Sequence, residues 1–194
     1  MTTILGIDPG LGKTGYAVLE ADSQQLKLVE GGIIRPGSGV QDHELAPRLL
    51  QLHQSLMEIL QQYSPSVLVV EQLYSHYDHP RTAIIMGHAR GAILLAGAQH
   101  GLNVVSYAAT QIKKVLTGNG RASKDQVQYA IMREFSLPAP PEPPDVADAI
   151  AIALCHAHLG GWGNGIRNAQ ISGVNLRELG LLPPEPHSST EGAA

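Results

Sequence analysis

The chain has 194 residues, 43% of them hydrophobic and 15% charged, enough apolar material for one sizeable core and too much for a chain disordered throughout. A single cysteine, Cys155, excludes an internal disulfide and a cysteine-rich zinc site, so a reducing cytoplasm is the expected compartment. The formal net charge of −4 excludes a uniformly basic surface, but charge acts locally when a site is local.

Thr3 to Ile7 is a short apolar run closed by the turn signal Asp8-Pro9-Gly10, and residues 15–20 and 26–35 are further β-like stretches between polar turns. Three antiparallel strands are expected there. Leu45, Leu49, Leu52, Leu56, Ile59 and Tyr63 recur at spacings of four and three, the apolar stripe of an amphipathic helix that ends before Ser64-Pro65. Val67 to Val70 reads as a buried strand, residues 80–100 as a helix, Asn103 to Tyr107 as a strand, and 109–117 and 123–136 as helices. The stretch from Pro138 to Pro144 carries five prolines in seven positions, too rigid for a helix, and an alanine-rich helix follows over 144–160.

Strands alternating with helices predict an α/β fold: a mixed sheet with an antiparallel ribbon at one edge, then parallel strands, and helices on both faces. Residues 1–160 form the expected domain, and 161–194, rich in Gly, Asn, Pro and Ser, a flexible C-terminal tail. The start of the chain lacks a basic segment followed by an apolar one, and its longest apolar runs are about seven residues, so neither a leader nor a membrane span is expected.

Gly12-Lys13-Thr14 invites a phosphate-loop reading, but the residue five places before Gly12 is Ile7 where that motif needs glycine. The segment also joins two β-like stretches and opens no helix, so the phosphate cradle at a helix end is missing. Asp8 and Glu71 each end an apolar strand. Alone, each is readily a turn starter or an acid leaving the core. If the two strands lie side by side and parallel, the carboxylates stand about 5 Å apart at the carboxyl edge of the sheet, where open α/β sheets bind ligands. Their repulsion calls for a cation, and oxygen-only ligands point to Mg²⁺ or Mn²⁺. Asp145 and Asp148 share one turn at the start of the last helix, where spacing alone favours a capping role. With Asp8 and Glu71, however, they make four acids able to hold two cations, the arrangement that activates water and stabilises the leaving oxygen in phosphodiester cleavage.

The run Ile4-Leu5-Gly6-Ile7-Asp8-Pro9-Gly10, then Glu71-Gln72, Gly87-His88-Ala89-Arg90-Gly91, Gly118-Asn119-Gly120-Arg121-Ala122-Ser123-Lys124 and Asp145-Val146-Ala147-Asp148-Ala149 resembles the RuvC family of Holliday junction resolvases. The resemblance spans residues 3–159, with the segments in the family's order. It implies a ribonuclease H-like fold and a homodimeric, Mg²⁺-dependent endonuclease with two ions per active site, nicking two strands of four-way junction DNA in recombination and repair. It matches Asp8, Glu71, Asp145 and Asp148 to the catalytic, metal-binding acids, and implies a partnership with the RuvA–RuvB branch-migration complex.

Residues 76–133 carry seven basic side chains against two acids, whereas the rest of the chain has six against fifteen. Lys113, Lys114, Arg121 and Lys124, with Arg81 from the same stretch, are therefore candidate DNA contacts beside an acidic centre that would otherwise repel phosphate. A solvated helical face is the bland alternative. Tyr74 falls where the family carries an aromatic that stacks on an unpaired base. His156 and His158, two apart on one helix, point to different sides and make poor joint metal ligands. The expected dimer face is the helix over 80–100, where Gly87, Gly91, Ala92, Ala96 and Gly97 permit close approach beside Ile84, Ile85, Leu94 and Leu95. Two rivals share this fold type: an actin-like ATPase or kinase, which needs a far longer chain, and a non-catalytic nucleic-acid-binding module, disfavoured by the four acids.

Overall fold

The structure is a computed structural model that describes residues 1–35, 44–73 and 80–160. Strands β1 (Thr2–Asp8), β2 (Thr14–Ala21) and β3 (Leu26–Ile34) run antiparallel, and α1 (Leu45–Tyr63) leads to β4 (Val67–Glu71). Helix α2 (Pro80–Gln99) returns the chain to β5 (Asn103–Tyr107), and α3 (Ala109–Thr117), α4 (Lys124–Phe135) and α5 (Pro144–Leu159) close the fold. The sheet order is β3-β2-β1-β4-β5, with β4 parallel to β1 and β5 parallel to β4. This is the expected mixed sheet, with the antiparallel ribbon at one edge. The proposed tail, 161–194, lies outside the described residues. No described helix is long and apolar enough to cross a membrane.

The central strands β1 and β4 are apolar on both sides because helices cover both faces of the sheet. Strand alternation sorts their side chains. Ile4, Val67 and Val69, with Ala17 and Leu19 of β2, enter the core under α3, α4 and α5. Leu5, Ile7, Leu68, Val70 and Val18 enter the other core, under α1 and α2. The next positions in that two-residue period are Asp8 and Glu71, which the alternation therefore sends to the α5 face.

Helix α5 is apolar nearly all round because it is wedged between β1 and β2 below and α3 and α4 above. Its alanines let it lie close to the sheet, and two strand glycines let the sheet receive it. A methyl at Gly6 would fall 2.5 Å from the Ala149 carbonyl oxygen, and one at Gly15 would collide with the carbonyl of Asp145. Glycine inside a strand often marks such a close backbone approach.

Helix α1 buries Leu52, Leu56, Ile59 and Leu60, while Leu45 of the predicted stripe stays on the rim at 36% exposure. It stops at Ser64, whose left-handed φ of 43° turns its N–H back to the Leu60 carbonyl. Helix α2 corrects part of the expected dimer face. Ala96 is buried and Gly97 packs on Leu68 and Val104 of its own sheet, so neither is available to a second chain. Gly87 and Gly91 have open space where a side chain would be, and Ile84 and Leu95 are 61% and 54% exposed.

Candidate active site

The parallel register sets Ile7 beside Val70, so the next residues, Asp8 and Glu71, end adjacent strands on the same face. Helix α5 crosses above them. Its N-cap is Pro143, with Pro144 in the first turn, and no side chain caps it. Asp145 and Asp148 are thus free of the capping role that spacing alone favoured, and the close contact at Gly15 draws the Asp145 turn down to the strand ends.

Asp8, Glu71 and Asp148 line one cleft of about 260 Å³ with Lys113 and Lys124, over an apolar floor that includes Ile112, Val127 and Ile152. Burial pushes the Asp8 carboxyl up to about 7, and the charges of Asp148, Glu71 and Asp145 add to the shift while Lys124 opposes it. Glu71 is raised as well, by burial and then by Asp148, against the pull of Lys113 and Lys124. Asp145 does not line the cleft but stands near enough for its charge to act on Asp8.

The Lys124 ammonium donates to Asp148 Oδ2 at 3.2 Å, and that contact raises the lysine above its ordinary range. It is a surface pair, with the lysine 70% exposed, so its own contribution to stability is small. Lys124 opens α4, behind a capping box in which Ser123 and Gln126 satisfy each other's backbone N–H groups. The cap fixes where the lysine emerges.

The donor chemistry of the cleft fits hard divalent cations: oxygen ligands only, in mutual repulsion that a positive ion relieves. Among the described residues no three His, Cys, Asp or Glu side chains meet closely enough to clasp one ion as they stand. Asp8, Glu71 and Asp148 ring the cleft and do not converge at a point.

Of the expected DNA contacts, Lys113 and Lys124 are on the cleft wall. Lys114, its neighbour on α3, is exposed and outside the cleft, as are Arg121 in the α3–α4 turn and Arg81 in the first turn of α2. Tyr74 lies outside the described residues. His156 Nδ1 pairs with the Tyr107 hydroxyl at 2.8 Å and His158 Nε2 lies 3.7 Å from Glu134, so the two serve separate core contacts. Gly12-Lys13-Thr14 sits in the β1–β2 hairpin, where Thr14 bonds the Gly10 carbonyl.

A family model, crossover junction endodeoxyribonuclease RuvC, matches residues 4–156. The chain belongs to the RuvC family. It is 49% identical over 156 residues to RuvC of Rhodopirellula baltica, covering 80% of this chain and 86% of that one. Its structure is similar to Thermus thermophilus RuvC in complex with a Holliday junction substrate: TM-score 0.72 and 28% identity, over 84% of this chain and 98% of that chain. The yeast mitochondrial Holliday junction resolvase shares the fold, with TM-score 0.56 at 14% identity, over 78% of this chain and 76% of that chain. The RuvC match runs against the actin-like ATPase alternative.

Sequence reasoning missed two features of the site. Gly6 and Gly15 admit α5, and Arg90 reaches the carbonyl of Glu71. A usable signal existed for the first, since glycine interrupts otherwise apolar or β-branched strands.

Proposed function

We propose that this RuvC family member resolves Holliday junctions by hydrolysing phosphodiester bonds in two strands of four-way junction DNA, in recombination and repair. The observation that carries the reading is three acids from a strand pair and a helix around one cleft, with two lysines on its wall. Asp8, Glu71, Asp145 and Asp148 would hold two Mg²⁺ ions, with Mn²⁺ an alternative. When bound, such ions activate water and stabilise the leaving oxygen.

The protein's own groups do the rest. Lys113 and Lys124 offset the acids' repulsion and hold the phosphate at the cleft, while the apolar floor limits water beneath it. Lys114, Arg121 and Arg81 lie farther out and would meet the backbone of the junction arms, and Tyr74 would stack on an unpaired base. Symmetric nicks require two related sites, and the exposed Ile84 and Leu95 stripe of α2, with open Gly87 and Gly91 between them, suits a second copy of the chain. A cytoplasmic setting is the compartment that the single cysteine suggests, and there RuvA–RuvB would supply the junction.

Incubating the protein and Mg²⁺ with a labelled four-way junction and a matched linear duplex tests the reading. Paired nicks in opposite strands of the junction, with the duplex spared, are expected. Equal cutting of both substrates, or none of either, contradicts it.

A further inference from the structure

Arg90 sits on the sheet-facing side of α2, between buried Ala89 and Ile93 on the helix. Its Nε–H donates to the main-chain carbonyl of Glu71 at 3.3 Å, and a terminal N–H donates to Ser106 Oγ at 2.8 Å. The guanidinium thus joins the carboxyl ends of β4 and β5. It does so from the face of the sheet opposite the acids, because α2 packs in the α1 core while Glu71 alternates to the α5 side.

We propose that Arg90 is a positioning residue that fixes the Glu71 end of β4, and through it the place of the Glu71 carboxylate. The inference rests on the resolvase reading. The β1–β4 pairing runs out at Ile7 and Val70, so Glu71 lies one residue past the last rung on that side. On the other side it is still paired with Tyr107, and Gln72 N–H reaches the Tyr107 carbonyl at 2.8 Å. The Arg90 contact supplies a second fastening where the ladder on the β1 side has ended.

An arginine suits this role because its planar fork reaches two acceptors on two strands at once, which a lysine point charge does not. Arg90 acts on where the carboxylate stands and not on its charge: the cations that favour the ionised form of Glu71 are Lys113 and Lys124, on the other face. Displacing a reacting group by about 1 Å can cost on the order of 100-fold in rate.

The test compares the unaltered chain with R90M, which keeps the stem, R90K and S106A. Four quantities are read: single-turnover junction cutting at saturating protein, junction affinity without metal, thermal midpoint, and Mn²⁺ binding by electron paramagnetic resonance. R90M is expected to cut roughly 10- to 100-fold more slowly with unchanged junction affinity, a nearly unchanged thermal midpoint and a weaker Mn²⁺ titration. R90K should recover part of the rate, and S106A should lose less than R90M. An R90M chain that binds Mn²⁺ and cuts like the parent overturns the inference, as does a loss that appears only in junction affinity, which would make Arg90 a phosphate contact. If R90M does not fold, R90K and S106A decide by the same readouts. An unaltered chain that does not cut junctions overturns the resolvase reading alone, and the Mn²⁺ titrations still decide the role of Arg90.

Discussion

On the α1–α2 face the sheet side of the core is made of large branched side chains, Leu5, Ile7, Leu68 and Val70, which meet Leu52, Leu56 and Leu60 of α1 and Ile93, with Ala89, Ala96 and Gly97, of α2. On the α5 face, above β1 and β2, the contact is made by Gly6, Gly15, Ala149 and Ala153. The first arrangement holds helices at a side chain's distance from the sheet. The second brings backbone to backbone, and that is the face on which the acids stand. A helix held off by leucines could not place Asp145 and Asp148 over the ends of two strands; small residues here set the position of charge as well as the packing.

Removing an acid should break the α5 face most severely. Glu71→Gln and Asp145→Asn are each expected to lower junction cutting by about 1,000-fold or more while junction binding stays as tight or tightens, because each would remove a proposed metal ligand and ease the repulsion of phosphate. Nicking and gel-shift assays on the same preparations check this, and substantial cutting at saturating Mg²⁺ by either variant removes that residue from the site.

A matched pair of glycine variants separates the two faces. Gly15→Ala crowds the Asp145 turn, whereas Gly97→Ala crowds Leu68 and Val104 on the other side. Both should cost about 1–3 kcal/mol of stability, as overpacking does. Only Gly15→Ala should also slow cutting, by on the order of 100-fold, since it moves an acid. Equal rate losses at a temperature where both are folded would show that close docking of α5 has no special bearing on the site.

Much of this organisation was legible beforehand. Apolar periodicity located α1, alanine-rich composition after the proline run located α5, and the turn signal after Ile7 placed Asp8 at a strand end. The parallel partnership of β1 and β4 was available only as a condition, because it joins residues some sixty apart and no local pattern encodes it. Asp145 and Asp148 were ambiguous from spacing, which suits a cap as well as a ligand pair; only the position of Pro143 as N-cap separates the two. For the proposed dimer face, composition pointed at α2, but which of its small residues face the parent sheet depends on the helix's rotation, and Ala96 and Gly97 fall on the inner side.

A smaller effect follows from the Lys124 pair with Asp148. Lys124→Met should slow cutting about 10-fold and raise Asp8 still further, since this lysine opposes the rise. A pH–rate profile at fixed Mg²⁺ checks it: the acid limb of the variant should lie at higher pH than that of the parent. An unmoved limb would dissociate Lys124 from the acids.

The mildest expectation concerns the metal-free protein. Asp8 is raised by folding from 3.8 to about 7, so between those values the folded state holds a proton that the unfolded chain has released. Stability then falls as pH rises through that window, the contribution being fully present below the lower value and lost above the upper one. Thermal melts in a chelator should show this fall in the parent and a flatter profile in Asp8→Asn, with no comparable flattening from a substitution on the α1–α2 face such as Gly97→Ala.

Crystals grown without metal, soaked in Mn²⁺ and measured at a wavelength where manganese scatters anomalously, test the central proposal most directly: that Asp8, Glu71 and Asp148 around the cleft, with Asp145 beside it, bind divalent metal. Anomalous peaks should lie in the cleft among Asp8, Glu71, Asp145 and Asp148, and should vanish in Glu71→Gln or Asp145→Asn. Peaks at His156 or at surface carboxylates alone, with the cleft empty at saturating Mn²⁺, would contradict the account.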